Sequence, residues 1–122
     1  MIKGIGTDIV EIQRIKKLME NDHAVKRILT VGEQQLYYAK SKQHEFLAGR
    51  FAAKEAVAKA FGVGISKCPL NEVEVLNDEL GAPYVQLYGN AKALQSKMNV
   101  QKIYISISHE KEYAAAMAVL EE

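Results

Sequence analysis

The sequence predicts an α+β fold with a mostly antiparallel sheet and helices packed on one face. Three observations support this prediction: a long helical stretch ends at Gly62, a hairpin pattern covers 71–87, and two strand-like runs close the chain. The predicted order β-α-α-α-β-β-α-β-β separates helices from paired strands, as is typical of α+β domains. We expect one domain over residues 1–122, long enough to bury about two-thirds of its unfolded surface.

The first element is predicted to be a strand over about 3–9, because β-branched residues alternate there. Asp8 lies at the predicted end of this strand. Aspartate is a common N-cap of a following helix, and Glu11 three residues later completes a capping-box pattern. The cap therefore competes with any ligand role for Asp8.

Three helical segments are expected next. Residues 11–29 have helical periodicity with a bend near Asn21, and Thr30 with Glu33 resembles a capping box that opens a second helix. A third helix is predicted from about Gln43 to Gly62, where glycine is a typical stop.

The second half of the chain is predicted to be mainly strands. Residues 71–76 and 83–87 alternate around a turn, and 89–98 form a short helix. Two strands follow, at 102–108 and 113–120. Alanine is a poor strand former, so its abundance in the last strand indicates close packing of a helix against that face.

Composition excludes several classes of protein. Hydrophobic content is 48%, charged content is 25% and net charge is +1, so nothing favours nucleic acid or a membrane surface as partner. No apolar run approaches the roughly 18 residues of a membrane helix, and acidic residues interrupt the N-terminus before a signal-peptide core. The single cysteine, Cys68, cannot form an internal disulfide. We expect a cytoplasmic protein.

The long helix has one line of small and charged residues, formed by Ala48, Ala52, Glu55 and Lys59. The small side chains of the two alanines let a ligand or another backbone approach the helix, with the carboxylate of Glu55 and the ammonium of Lys59 beside it. The alternative is an exposed Glu→Lys pair at i,i+4, which contributes about 0.2–0.5 kcal/mol.

Two further features have both a structural and a functional interpretation. The polar face of 11–29 is mildly basic, and it is either a solvated face or a docking surface for an acidic partner. Its basic residues are Arg14, Lys16, Lys17, Lys26 and Arg27. Gly62 and Gly64 either admit a phosphate or make a turn, and no P-loop pattern is present in the chain.

Three separated stretches, GIGTDIVEI at 4–12, GRFAAKEAVAKAFG at 49–62 and ISISHE at 105–110, together resemble the holo-acyl-carrier-protein synthases. These enzymes belong to the 4′-phosphopantetheinyl transferase superfamily, and the resemblance, which covers nearly the whole chain, implies that fold. It also implies transfer of the phosphopantetheine arm of coenzyme A to a serine of acyl carrier protein, with magnesium and in support of fatty acid biosynthesis. Adenosine 3′,5′-bisphosphate would be released.

The resemblance assigns roles by matching positions. Asp8 and Glu55 match the metal carboxylates, which would hold magnesium or manganese, and Lys59 matches a lysine that meets the pyrophosphate. The expected contacts to coenzyme A are Arg50, Lys54, Lys59, Gly62, Gly64 and His109. Val10 stands where larger superfamily members have a third acid, which leaves the general base open between a metal-bound water and Glu55 acting through water.

The resemblance also implies partners. Acyl carrier proteins are acidic, so Arg14, Lys17, Lys26 and Arg27 become the expected docking residues. The short synthases assemble as trimers, with coenzyme A between subunits. Two other hypotheses stay open on the residues alone: another magnesium-dependent enzyme with a nucleotide-like substrate, and a binding module without catalysis.

Overall fold

A three-stranded antiparallel sheet and the long helix packed across it form the centre of the fold. The computed structural model describes residues 1–122. Its elements are β1 (Ile2–Glu11), α1 (Ile12–Leu18), α2 (Asp22–Ile28), α3 (Val31–Ala39), α4 (Gln43–Ala60), β2 (Val73–Asn77), β3 (Pro83–Leu87), α5 (Gly89–Lys97), β4 (Lys102–His109) and β5 (Tyr113–Glu121). The larger sheet has the order β1-β5-β4, and β2 with β3 forms a separate antiparallel hairpin. The predicted α+β class is confirmed. None of the helices is both long and apolar enough to cross a membrane.

Helix α4 packs against the alanine face of β5. Ala114, Ala116 and Ala118 are buried and alternate with residues that face away from the helix. Their small side chains let the buried alanines and Val57 of α4 lie close to the sheet. The prediction that β5 is packed closely by a helix is therefore confirmed.

Strand β1 approaches α4 more closely still, because Gly4 and Gly6 lack side chains. A Cβ at Gly4 would collide with the carbonyl oxygen of Ala60, and one at Gly6 with the carbonyl oxygen of Ala56. Glycine inside a strand commonly marks such a close backbone approach. This contact fixes the last two turns of α4 against the strand that carries Asp8.

The N-terminal strand is longer than predicted, and the capping interpretation of Asp8 is wrong. β1 stays paired with β5 through Glu11, and Asp8 lies opposite Ala116 within this ladder. Helix α1 starts only at Ile12, and no side chain caps it. The side chain of Asp8 is therefore free of any capping role.

The helical segment after β1 bends where the sequence predicted. α1 ends at Leu18 and α2 starts at Asp22, with Asn21 as its N-cap accepting from the amides of His23 and Ala24. The predicted capping box of Thr30 and Glu33 is also present at the start of α3.

A buried ion pair joins α3, α4 and the hairpin. The Nζ of Lys54 donates to Oε1 of Glu33 at 2.6 Å, and both side chains are fully buried. The other oxygen of Glu33 accepts from the amide of Val75 at 2.7 Å, and Lys54 also donates to the carbonyl of Leu70 at 2.8 Å. Every polar group of this pair is satisfied, as a buried pair requires.

We expect Gly6→Ala to lower the free energy of unfolding by about 1–3 kcal/mol, because overpacking against a backbone carbonyl forces helix and strand apart. Urea denaturation measures this change. Gly64→Ala is the matched control, because a Cβ there meets nothing and its φ is not positive. It should be neutral or stabilise by up to about 1 kcal/mol. Equal effects of the two substitutions would contradict the close contact between β1 and α4.

Candidate functional site

Asp8 and Lys59 meet where β1 crosses the end of α4. Side chains of β1 alternate, and Asp8 shares the α4-facing side with Gly6 and Val10. The Nζ of Lys59 lies 3.0 Å from Oδ1 of Asp8. The side chain of Asp8 is 15% exposed and that of Lys59 is 54% exposed, so the pair opens to solvent on the lysine side.

Glu55 lies one turn before Lys59 and lines the same cleft as Asp8. Burial raises the pKa of the Glu55 carboxyl, the negative charge of Asp8 raises it further, and the ammonium of Lys59 opposes both. We call this space of about 390 Å³ the acidic cleft; its apolar wall includes Phe51, and its charged lining residues are Asp8, Glu11, Glu55, Arg14 and Lys59.

The donor set of the acidic cleft fits a hard divalent cation. The charge of Asp8 raises the pKa of the Glu55 carboxyl, and a cation between the two carboxylates would relieve this repulsion. No group of three or more His, Cys, Asp or Glu side chains is placed to hold a metal, so the protein would supply two oxygen ligands. Magnesium is commonly bound in this way, with waters and substrate phosphates completing the octahedron. Zinc, in contrast, prefers three or four nitrogen or sulfur ligands.

A second cleft, of about 580 Å³, lies between the first half of α4, the end of β4 and the hairpin turn. We call it the basic cleft, because its lining includes Lys40, Lys42, Arg50 and His109 against one acid, Glu45. Nδ1 of His109 is 4.0 Å from Oε1 of Glu45. The excess of cationic groups suits a phosphate.

Arg50 is the most firmly held cation of the basic cleft. Its Nε donates to the carbonyl of Val75 at 3.1 Å and its Nη2 donates to Oδ1 of Asn77 at 2.6 Å. The guanidinium also stacks on the ring of Phe46, 4.4 Å from its centroid. Burial lowers the pKa of Arg50, and the charge of Glu33 opposes this shift.

The structure corrects one expected contact and places two others outside both clefts. Lys54 cannot touch coenzyme A, because its ammonium is fully buried against Glu33 and backbone carbonyls. Gly62 has a φ of +78° and ends the helix, as predicted. Neither Gly62 nor Gly64 lines the acidic or the basic cleft.

The expected docking residues lie on the exposed faces of α1 and α2. Arg14, Lys17, Lys26 and Arg27 are all exposed. Arg14 also lines the acidic cleft, so this face continues into the site. Lys26 is partly occupied by an ion pair with Asp22, 3.2 Å away.

Sequence reasoning missed several residues of the site. Gly4 and Gly6 are inside a strand, which is itself a signal of close backbone approach. Lys40 and Lys42 stand at the turn between α3 and α4 and line the same cleft as Arg50, which only the packed fold reveals. Asn77 looked like an ordinary turn residue, and nothing local indicates that it binds Arg50.

Fold and site together define an α+β protein with one cleft that contains the carboxylates of Asp8 and Glu55 and a second cleft lined mainly by basic side chains. Comparison with known proteins agrees with this class. The sequence profile of the 4′-phosphopantetheinyl transferase superfamily matches residues 4–118. The chain therefore belongs to this superfamily, in the group of the holo-acyl-carrier-protein synthases.

Individual relatives cover nearly the whole chain. A holo-[acyl-carrier-protein] synthase from Alkaliphilus oremlandii is 49% identical over 120 residues, which is 98% of each chain. The crystal structure of such a synthase from Neisseria meningitidis superposes with a TM-score of 0.94 at 34% identity and covers 100% of both chains. One from Bacillus anthracis, in complex with CoA (3′,5′-ADP), has a TM-score of 0.83 and 41% identity, with 98% of this chain and 96% of that chain covered.

Truncation of Lys54 should cost much more folding free energy than truncation of Lys59. We expect Lys54→Ala to cost about 3–5 kcal/mol of folding free energy, because it leaves the charge of Glu33 buried without a partner. We expect Lys59→Ala to cost less than about 1 kcal/mol, because the lysine side of its ion pair is 54% exposed. Chemical denaturation of both variants compares the two costs. Equal stability of the variants would restore Lys54 as a candidate ligand contact.

Proposed function

We propose that this chain, acting as one domain over residues 1–122, transfers the 4′-phosphopantetheine arm of coenzyme A to a serine of apo-acyl carrier protein. One observation carries the proposal: Asp8 and Glu55, which lie far apart in the sequence, line one cleft with Lys59 between them and solvent. Support comes from relatives named for this activity and from a similar structure in complex with CoA.

Each charged residue of the acidic cleft has a separate role in the proposed transfer. Asp8 and Glu55 would hold magnesium, with manganese as an alternative, and the bound ion would neutralise charge on the pyrophosphate. The exposed ammonium of Lys59 would leave Asp8 and pair with the phosphate oxygens of the leaving group. Glu55 would accept the serine proton through a water molecule.

The reaction is an in-line displacement at the β-phosphorus of coenzyme A. The serine oxygen forms a bond to this phosphorus as the bond to the bridging oxygen breaks, and adenosine 3′,5′-bisphosphate leaves with the electron pair. Positioning and charge neutralisation supply most of the catalysis of such phosphoryl chemistry.

The basic cleft takes the 3′-phosphate of coenzyme A in this proposal. It contains Arg50 and His109, two of the residues expected to meet coenzyme A, and adds Lys40 and Lys42. Arginine and lysine together suit a phosphate monoester, because one supplies a planar fork and the other a point charge.

A trimer brings the two clefts onto one ligand. The acidic cleft opens at the β1 edge of the sheet and the basic cleft at the β4 edge, with β5 between them. The sheet face that points away from α4 is apolar and exposed, with Ile5 at 66% and Ile9 at 67%. A face of this kind marks an interaction surface. We propose that neighbouring subunits cover it in a homotrimer and that coenzyme A binds between one subunit's acidic cleft and its neighbour's basic cleft.

The carrier protein docks on the basic face of α1 and α2. Arg14 connects that face to the acidic cleft, so an acidic partner held there presents its serine to the site. We place this reaction in the cytoplasm and in the supply of active carrier protein for fatty acid biosynthesis. No nucleic acid and no membrane takes part in it.

The transfer is tested by incubating the protein with coenzyme A, magnesium and an apo-acyl carrier protein, and measuring the intact carrier mass. We expect a gain of one phosphopantetheine arm and equimolar release of adenosine 3′,5′-bisphosphate. Hydrolysis of coenzyme A without a mass gain would point to another nucleotide-directed enzyme. The absence of any reaction would favour a binding module.

Arg14→Ala should raise the KM for carrier protein and leave the KM for coenzyme A nearly unchanged, because the contact serves partner steering. The effect should shrink with salt, since the Debye length falls from about 10 Å at 0.1 M to about 3 Å at 1 M. Steady-state kinetics with each substrate varied in turn measure both values. Equal loss for both substrates would indicate a defect in folding or in the metal site instead.

A further inference from the structure

The guanidinium of Arg50 is buried, yet it forms part of the wall of the basic cleft. Its two protein hydrogen bonds use Nε and Nη2, so the donors of Nη1 are not engaged by the protein. A buried cation with free donors at a cleft wall is preorganised for an anion, because it needs no reordering when the anion binds.

Asn77 holds this cation through its carboxamide. Its Oδ1 accepts from Nη2 of Arg50 at 2.6 Å, and its Nδ2 donates to the carbonyl of Gly81 at 3.0 Å. Arginine can only donate and a backbone carbonyl can only accept, so the two halves of the amide have one consistent orientation. Asn77 thus fixes Arg50 to the hairpin turn.

The turn that carries Asn77 is itself well ordered by hydrogen bonds. Oδ1 of Asp78 accepts from the amides of Leu80 and Ala82, each at 2.9 Å. The amide of Asp78 donates to the carbonyl of Ala82, and Gly81 has a φ of +87°, which favours glycine. Gly81 and Asn77 both line the basic cleft beside Arg50.

We propose that Asn77 is a positioning residue that sets Arg50 for a phosphate monoester in the basic cleft. This inference rests on the proposed function and extends it to a residue outside the motifs. A neutral amide holds the guanidinium without cancelling its charge, whereas an aspartate at 77 would form an ion pair with it. The positive charge of Arg50 therefore remains available to the ligand.

The charges around the cleft support a phosphate as its ligand. Lys40 and Lys42 add to the charge of Arg50, His109 offers a ring nitrogen to a ligand, and Glu45 is the one acid in the lining. In the proposed function, the pyrophosphate of coenzyme A binds at the acidic cleft. The 3′-phosphate is the other phosphate group of coenzyme A and is therefore the one that the basic cleft would bind. Asn77 then contributes, through Arg50, to the preference for coenzyme A over its 3′-dephospho form.

The test compares coenzyme A with 3′-dephospho-coenzyme A as donors for wild type, Asn77→Asp and Asn77→Ala. For Asn77→Asp we expect kcat/KM with coenzyme A to fall at least about tenfold, mainly through KM, because loss of a charge-assisted contact has this size. With the dephospho form we expect a change of less than about threefold, because the missing phosphate is the group that Arg50 meets. Asn77→Ala should lie between wild type and Asn77→Asp, because it frees the guanidinium but leaves its charge.

Asn90→Asp is the matched control, because it makes the same chemical change at an exposed position of α5 that does not line the basic cleft. It should leave the ratio of the two donors unchanged. Equal losses with both donors in the Asn77 variants, or no loss with either, would overturn the proposal. If Asn77→Asp does not fold, the same ratio in Asn77→Ala decides. Failure of wild type to use either donor would refute the proposed function, a result separate from these.

Discussion

The close contact between the backbone of β1 and the last turns of α4 is the constraint on which the site depends. Gly4 and Gly6 permit it, because any side chain there would collide with carbonyl oxygens of Ala60 and Ala56. The alternation of the strand then directs Asp8 toward the same helix, where Lys59 is 3.0 Å away. The two glycines and the alternation of β1 thus bring Asp8 next to Lys59, although the two residues are distant in sequence. No long loop is needed to form the cleft.

Helix α4 serves both clefts and is anchored from the interior. Its second half contributes Glu55 and Lys59 to the acidic cleft, and its first half contributes Arg50 to the basic cleft. Between them, Lys54 binds Glu33 of α3 and the carbonyls of Leu70 and Val73 at the start of the hairpin. This pair holds the hairpin against the helix, so the residues that shape the two clefts are parts of one rigid frame. A buried, fully satisfied network of this kind favours one arrangement of the elements.

The sequence was sufficient for features that depend on nearby residues. The long helix, its stop at Gly62, the capping box at Thr30 and the hairpin follow from periodicity and turn chemistry within a few residues. Features that depend on residues distant in the sequence could not be predicted in this way. Asp8 looked like a helix cap because its pairing with β5, more than a hundred residues later, leaves no local trace. Lys54 looked like a ligand contact because its burial against Glu33 is decided by tertiary packing. The prediction that Asp8 and Glu55 share one site came from the family resemblance, because its motifs include residues from distant segments of the chain.

The central claim is that Asp8 and Glu55 jointly bind one divalent cation. The most direct measurement is a titration with Mn²⁺ in the presence of coenzyme A, followed by the electron paramagnetic resonance of the free ion. We predict one strong site per chain in wild type and at least about tenfold weaker binding in both Asp8→Asn and Glu55→Gln. Glu20→Gln, which changes an exposed carboxylate that lines neither cleft, should bind Mn²⁺ as wild type does. Unchanged affinity in either Asp8→Asn or Glu55→Gln, with the protein folded, would contradict the account.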